Sequence, residues 1–428
     1  MIRAILITVA KLLRFGVRLF GGHGSALPGL LIERLDRRFF QRTLSALPHG
    51  IVVVTGTNGK TTTTRMLVQL LRQSGLKVLT NPSGSNLTRG LVSTIIEHSS
   101  LSGRLPYDIA VFELDEAYAP LFSEKAHPRA VVALNVMRDQ LDRYGETDAT
   151  ASLIAKAAQY AETLIVNGDD QLLFEKTKAH PHRYTFGLAQ SIASLLSTEA
   201  NLYKATAKQG AEQKLDAKIV DIKTTDSAIN FSAKILNSSI TIHLPLLGVH
   251  NALNAIVAII TSKVLLPDLD LRVAADTLSH FKPAFGRGET LKVRDKEITI
   301  ALIKNPSGFT QNLSTFVAPH IDAVLIVIND EYADGRDVSW LWDVQMAKLE
   351  EFKGTIFVSG KRRYDMALRL KYQGIAHRLI DTDKAEAMMG EALASHEWSS
   401  HLLIIPTYTA MLAIRKWLKI QEGGKRIW

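Results

Sequence analysis

Short, almost wholly apolar runs recur between Ile51 and about Gly187, each followed by a stretch with helical character. Ile51–Thr55, Val78–Leu79, Ile109–Phe112, Ala130–Leu134 and Thr163–Asn167 are such runs. Runs without polar alternation predict strands buried on both faces, and strand–helix alternation predicts a doubly wound, mostly parallel sheet. From Leu188 to about Ser239 the chain turns rich in Ala, Lys, Gln, Ser and Thr, which predicts an insertion; the sheet pattern returns at Ile240–Leu244. Beyond Phe285-Gly-Arg287 a second α/β unit begins, with strands expected at Ala323–Ile328, Thr355–Val358 and His401–Ile405. The expected organisation is a lead-in over 1–48, a central domain over 49–290 and a smaller C-terminal α/β domain over 291–428.

The first twenty residues have a pattern of their own. The apolar run Ala4–Ala10 is short, and no small-residue cleavage site follows it, which argues against a signal peptide. Lys11, Arg14 and Arg18 fall on one helical face. Such a basic amphipathic helix most often packs its apolar side on its own domain, and it can also lie on a membrane surface. No run is long enough to span a bilayer, so the protein is expected in the cytoplasm, with peripheral placement at the inner face of the membrane as the second option.

Composition changes this picture in two ways. The 428 residues carry 51 Lys and Arg against 42 Asp and Glu, a net charge of +9, which suits an acidic substrate or an anionic surface. No nucleic-acid motif or aromatic-interleaved basic run accompanies it, so nucleic acid is not expected as a partner. The chain also has no cysteine. It therefore offers no thiolate for zinc, and His180, His182, His243 and His250 lack metal-ligand spacing; no zinc is expected.

The candidate chemistry centres on Ile51-Val-Val-Val-Thr-Gly-Thr-Asn-Gly-Lys60-Thr-Thr. A buried strand, a glycine loop and Lys-Thr opening a helix make a phosphate-binding loop. Gly56 and Gly59 let the backbone N–H groups of Thr57, Asn58 and their neighbours turn inward, where the helix N-terminus attracts anions. Lys60 is placed to reach terminal phosphates from an exposed loop, Thr61 to ligate Mg²⁺, and Thr62 continues the same first turn. The general pattern would put glycine at position 54, where this chain has Val54. Glu113, in Val111-Phe-Glu-Leu-Asp115-Glu116, ends a strand and suits a Mg²⁺ opposite the loop.

The shortened Gly-Thr-Asn-Gly-Lys-Thr loop resembles the ATP site of the Mur ligases and folylpolyglutamate synthases. Four further segments agree in order: Glu113 with its strand, Leu134-Asn135 to Gly145, Gly248-Val-His-Asn251-Ala-Leu-Asn254, and Phe285-Gly-Arg287-Gly-Glu289. The resemblance implies that Asn251 and Asn254 face the adenine and that Arg287 sits at the junction of the central and C-terminal domains. Lys304-Asn305-Pro306, Asn329–Asp343 and Ile405–Ala410, with Ser25–Gly29 and Arg138–Asp142 upstream, resemble the MurT family within that superfamily. MurT-like chains usually carry a four-cysteine zinc ribbon where Leu188–Ser239 lies, and this chain departs from that pattern.

The resemblance implies an ATP-dependent carbon–nitrogen ligase. It would amidate the D-glutamate α-carboxylate of the lipid II stem peptide to D-isoglutamine, through an acyl phosphate. Hydrolysing glutamine for ammonia commonly needs a Cys nucleophile, which this chain cannot supply, so a second polypeptide must make the ammonia. The family names that partner as GatD, a class I glutamine amidotransferase, and implies that Asp337 orients the partner's catalytic histidine; Asp337 as the cap of a helix starting at Val338 is the alternative. Two other functions stand beside this one: an amino-acid-adding Mur-type ligase, and a nucleotide-binding scaffold for a glutaminase. Against the first, Gln140 replaces a histidine of those enzymes, and Ile154 replaces their lysine.

Overall fold

The computed structural model describes residues 39–81, 88–138, 147–195, 214–282, 286–293 and 295–421, together with Thr8 and Lys11. Most of the basic amphipathic helix, Ser25–Gly29, the Asp139–Gly145 segment with Gln140, and Phe285 lie outside the described residues. From the N-terminal segment, Lys11 Nζ donates to the Ser99 carbonyl at 2.5 Å.

Nine strands form the first sheet: β1 Ile51–Thr55, β2 Val78–Thr80, β3 Ile109–Glu113, β4 Ala130–Ala133, β5 Thr163–Asn167, β6 Arg183–Leu188, β7 Ala217–Thr224, β8 Ile229–Ile235 and β9 Ser238–Leu244. Their spatial order is β2-β3-β1-β4-β5-β6-β7-β8-β9, parallel through β7 and antiparallel from β7 to β9. The apolar runs of the sequence have a direct cause. Val52 and Val54 enter one core, with helix α1 (Lys60–Gln73) and helix α2 (Val249–Leu265), while Ile51 and Val53 enter another on the opposite face. A strand covered twice has no polar position to alternate with.

Within the stretch expected as an insertion, β7 and β8 are strands of the main sheet. Ala217, Ile219, Ile229, Phe231, Ala233 and Ile235 point into the same core as α2, while Lys218, Lys223 and Lys234 lie on the more exposed side. Residues 196–213 of that stretch lie outside the described residues.

The second sheet has the order β10-β11-β15-β12-β13-β14. Its members are β10 Arg287–Val293, β11 Lys296–Ala301, β12 Ala323–Val327, β13 Thr355–Ser359, β14 Arg378–Leu379 and β15 His401–Pro406. All pairs are parallel except β10 with β11, an antiparallel pair that carries Arg287 at its start. Again alternate residues feed two cores: Val324 and Ile326 on one face, Ala323, Leu325 and Val327 on the other. Helix α3 (Pro306–Phe316), helix α4 (Arg363–Tyr372) and helix α5 (Tyr408–Gln421) accompany this sheet. No described helix is long and apolar enough to cross a membrane.

Candidate active site

The site gathers at the C-terminal ends of β1, β3 and β4. Strand β1 pairs with β3 on one side and β4 on the other, so the chain turns away in both directions and leaves a crevice there. Gly56 adopts φ +129° and Gly59 φ +89°. The turn at Gly59 starts α1, whose first-turn residues Thr61, Thr62 and Thr63 are buried. A Cβ on Gly59 would overlap Asn254 Oδ1, so the loop needs glycine for both backbone shape and room. Gly59→Ala is expected to lose about 1–3 kcal/mol of stability through left-handed strain and the displaced amide. Thermal unfolding and a nucleotide titration check this; an unchanged midpoint with unchanged affinity would refute the tight fit.

Asn135 clamps the loop from β4. Its Oδ1 accepts from Asn58 N at 2.8 Å, its Nδ2 donates to Asn58 O at 3.0 Å, and its carbonyl accepts from Thr57 N at 2.9 Å. Thr57 Oγ1 accepts from Met137 N at 3.0 Å. Asp170 braces the same segment by accepting from Val136 N at 2.6 Å. From the second sheet's side, Asn305 caps α3 and donates Nδ2 to Asn58 Oδ1 at 3.1 Å. Arg138 pairs with Asp343 at 3.1 Å, a second tie across the seam.

At the head of α1 the expected metal pair meets. Thr61 Oγ1 donates to Glu113 Oε1 at 2.9 Å, and Asn81 holds Glu113 by exchanging two 3.0 Å hydrogen bonds with its backbone. Arg287 Nη2 reaches across to Thr61 Oγ1 at 3.2 Å. Burial pulls the Arg287 pKa below the ordinary arginine value, and Glu113 opposes that fall. Two buried oxygens of this kind, a hydroxyl and a carboxylate, fit Mg²⁺, which takes oxygen ligands.

Lys60 differs from the expectation of an exposed side chain. Its side chain is 14% exposed and folds back to Gly56 O at 2.6 Å, Thr57 O at 3.3 Å and Glu116 Oε1 at 3.2 Å. Nothing in a Glu-Leu-Asp-Glu string says which carboxylate turns inward to the lysine.

Asn251 and Arg287 line a cleft of about 570 Å³ whose walls also include Leu246, Leu247, Phe316 and His320. That size suits a small ligand such as a nucleoside. Asn254, by contrast, faces the loop: its Oδ1 accepts from Thr63 Oγ1 at 3.2 Å and its Nδ2 donates to Asn251 Oδ1 at 3.3 Å. Burial, reinforced by the Arg287 charge, pushes His250 down to about 4, so it is neutral near pH 7.

Among the described residues Asp337 hydrogen-bonds to none of these groups, and it does not line the cleft. Its Oδ1 accepts from Ser339 N at 2.8 Å, at the entry to a short 3₁₀ turn, Ser339–Asp343. The turn starts at Ser339 with Val338 at its cap position, so Asp337 braces it from one residue further out than the expected cap of a helix starting at Val338.

The Mur ligase middle domain profile matches residues 54–262, and the MurT ligase C-terminal profile matches residues 302–411. The chain is 32% identical over 430 aligned residues, 94% of each chain, to the lipid II isoglutaminyl synthase (glutamine-hydrolysing) subunit MurT of Streptococcus pneumoniae. Among solved structures it resembles MurF from Acinetobacter baumannii, with a TM-score of 0.70 at 18% identity over 92% of this chain and 81% of that one. It also resembles a Thermotoga maritima MurF ligase in complex with ADP, with a TM-score of 0.66 at 14% identity over 90% and 83%. The structural likenesses establish a Mur ligase-like α/β fold, and the sequence match establishes more: the chain belongs to the MurT family of Mur-type ligases.

Proposed function

We propose that this chain is the synthetase subunit of a lipid II isoglutaminyl synthase. It uses ATP to activate the α-carboxylate of D-glutamate in the lipid II stem peptide as an acyl phosphate. Ammonia then attacks the acyl carbon, phosphate leaves, and D-isoglutamine forms. The observation that carries this reading is the contact of Thr61 with Glu113 beside Lys60, completed by Arg287 from the second sheet.

The residues divide the work as follows. The loop receives the phosphates at the N-terminus of α1, through the backbone N–H groups from Gly59 to Thr62, because those of Thr57 and Asn58 are taken by Asn135. Lys60 leaves Glu116 and turns to the phosphates, where its charge opposes the negative charge that builds up during transfer. Thr61 and Glu113 would hold Mg²⁺, which neutralises phosphate charge when bound. Asn251 and Arg287 line the cleft that takes the nucleoside, and Asn254 keeps Asn251 and the loop in register. Arg287 ties that cleft to Thr61, so closing the two domains and completing the site become one event.

Ammonia comes from a GatD-like class I glutaminase, because no residue of this chain is a cysteine. The substrate is a membrane lipid, which places the chain in the cytoplasm at the inner face of the membrane. The +9 charge favours that anionic substrate. Incubation with lipid II, ATP and ammonium should yield amidated stem peptide by mass spectrometry. Product only with an added amino acid would point to an amino-acid-adding ligase, and no product even with glutaminase present would point to a scaffold.

The lack of cysteine also yields a prediction about metal content. Elemental analysis of the purified chain should find no stoichiometric zinc, and chelators should leave its thermal midpoint in place. About one zinc per chain would overturn this.

A further inference from the structure

The side chain of Lys60 marks a cation pocket. Its Nζ, a primary ammonium group, donates to Gly56 O at 2.6 Å, to Thr57 O at 3.3 Å and to Glu116 Oε1 at 3.2 Å. Two carbonyls and a carboxylate around one N–H-bearing cation also suit a small ammonium ion, which offers the same donors and the same charge.

The walls of this pocket are held by groups other than Lys60. Gly56 aims its carbonyl with a backbone φ of +129°, a Cβ there would meet the Asn135 backbone at 2.9 Å, and Thr57 N is anchored on Asn135 O at 2.9 Å. Glu116 stands in a turn that Asp115 organises. The Asp115 carbonyl accepts from Tyr118 N at 3.0 Å and from Ala119 N at 2.9 Å, and its Oδ1 accepts from Ala117 N at 3.2 Å. That turn leads into the helix Ala119–Ala126, whose Ala119 and Phe122 are packed in the core. The pocket therefore keeps its shape when the lysine swings out. Its charge does not stay balanced, because Glu116 is 3% exposed and a buried carboxylate that loses its cation bears a large desolvation cost.

The reaction both removes the lysine and brings a replacement. Resting on the reading that Lys60 turns to the phosphates and that ammonia is the nucleophile, we propose that Gly56 O, Thr57 O and Glu116 form an ammonium-binding site that fills as Lys60 leaves. One lysine reaches both the pocket and the phosphates, so the two sites lie within the sweep of a single side chain. The held ion gives one proton to Glu116. Ammonia then forms the C–N bond as the C–O bond to phosphate breaks, a second proton leaves with the phosphate, and Glu116 returns its own to solvent.

The first measurement needs no activity. Lys60→Ala empties the pocket, so its thermal midpoint should stand at least about 2 °C higher in ammonium chloride than in choline chloride of equal ionic strength. The double variant Lys60→Ala, Glu116→Gln should show no such difference. The second measurement follows amidation with ammonium at saturating ATP and lipid II. Glu116→Gln should raise the KM for ammonium about 10-fold and leave that for ATP within about twofold, and Glu116→Asp, which keeps the charge, should fall between. Potassium should compete with ammonium in the wild type. Equal midpoints of Lys60→Ala in the two salts overturn the proposal, as does an unchanged KM for ammonium in Glu116→Gln. So does potassium that stimulates amidation at saturating ammonium without raising its KM, because the pocket then belongs to an inorganic cation. A wild type that does not amidate with ammonium would defeat the functional reading, and the midpoints would still decide whether the pocket binds the ion.

Discussion

Replacing Lys60 with alanine is expected to lower ammonium-dependent amidation by at least about 10²–10³-fold, the usual effect of removing one preorganised group that stabilises transition-state charge. Ammonium is the right nitrogen source for this measurement, because it isolates the phosphoryl-transfer half of the reaction from any glutaminase. The structure adds a consequence for stability. Lys60 pairs with Glu116, which is 4% exposed, so alanine removes a cation from beside an almost buried carboxylate. Breaking a fully buried pair costs about 3–5 kcal/mol, and this one, with the lysine partly solvated, should cost less. The double variant Lys60→Ala, Glu116→Gln removes the stranded charge. It should recover much of the thermal midpoint while activity stays lost. Amidation by Lys60→Ala within a few-fold of wild type would defeat the phosphate-loop assignment; a recovered midpoint with recovered activity would assign the lysine to the fold.

How much of this was legible in the sequence depended on how many sides of each element are covered. Strands β1, β3, β4, β5, β12, β13 and β15 are buried on both faces, so their composition alone gives them away. Strands β7 and β8 have only one buried face. Their outward lysines, serines and threonines made the stretch read as an insertion, although Ile219 and Phe231 reach the same core as Val52.

The site was legible in the same uneven way. Gly56, Gly59, Lys60 and Thr61 have the spacing of a phosphate-binding loop, and Glu113 ends the strand beside it. Asn135, which makes three hydrogen bonds to that loop, was visible as part of a motif but not as a clamp. The orientation of an amide cannot be read from a helix sequence. Asn251 and Asn254 are equivalent on paper, yet one lines the cleft and the other packs against Gly59 and Thr63. Contacts across domains are still less visible: Arg287 to Thr61 spans 226 residues, and no local pattern encodes it.

Asp337→Asn is expected to separate the two half-reactions. The residue's hydrogen bond is to Ser339 N and not to the Thr61–Glu113–Arg287 cluster, so ATP binding and ammonium-dependent amidation should match wild type. Glutamine-dependent amidation by the complex should fall. Where a triad is fully assembled within one chain, losing the carboxylate costs up to about 10⁴ in rate, because the amide no longer stabilises the imidazolium and favours the wrong tautomer. A carboxylate supplied across an interface should cost less than that. The hydrogen bond from Ser339 N to Oδ1 can persist with asparagine, whose side-chain oxygen still accepts, so the 3₁₀ turn should stay folded and binding of the glutaminase should change little. The substitution therefore distinguishes the two roles of the residue. Loss of glutamine hydrolysis with intact binding, rescued by ammonium, assigns Asp337 to the partner's histidine. Unchanged glutamine hydrolysis would leave it only the contact with Ser339, and amidation that stays lost with ammonium would move it into the ligase site.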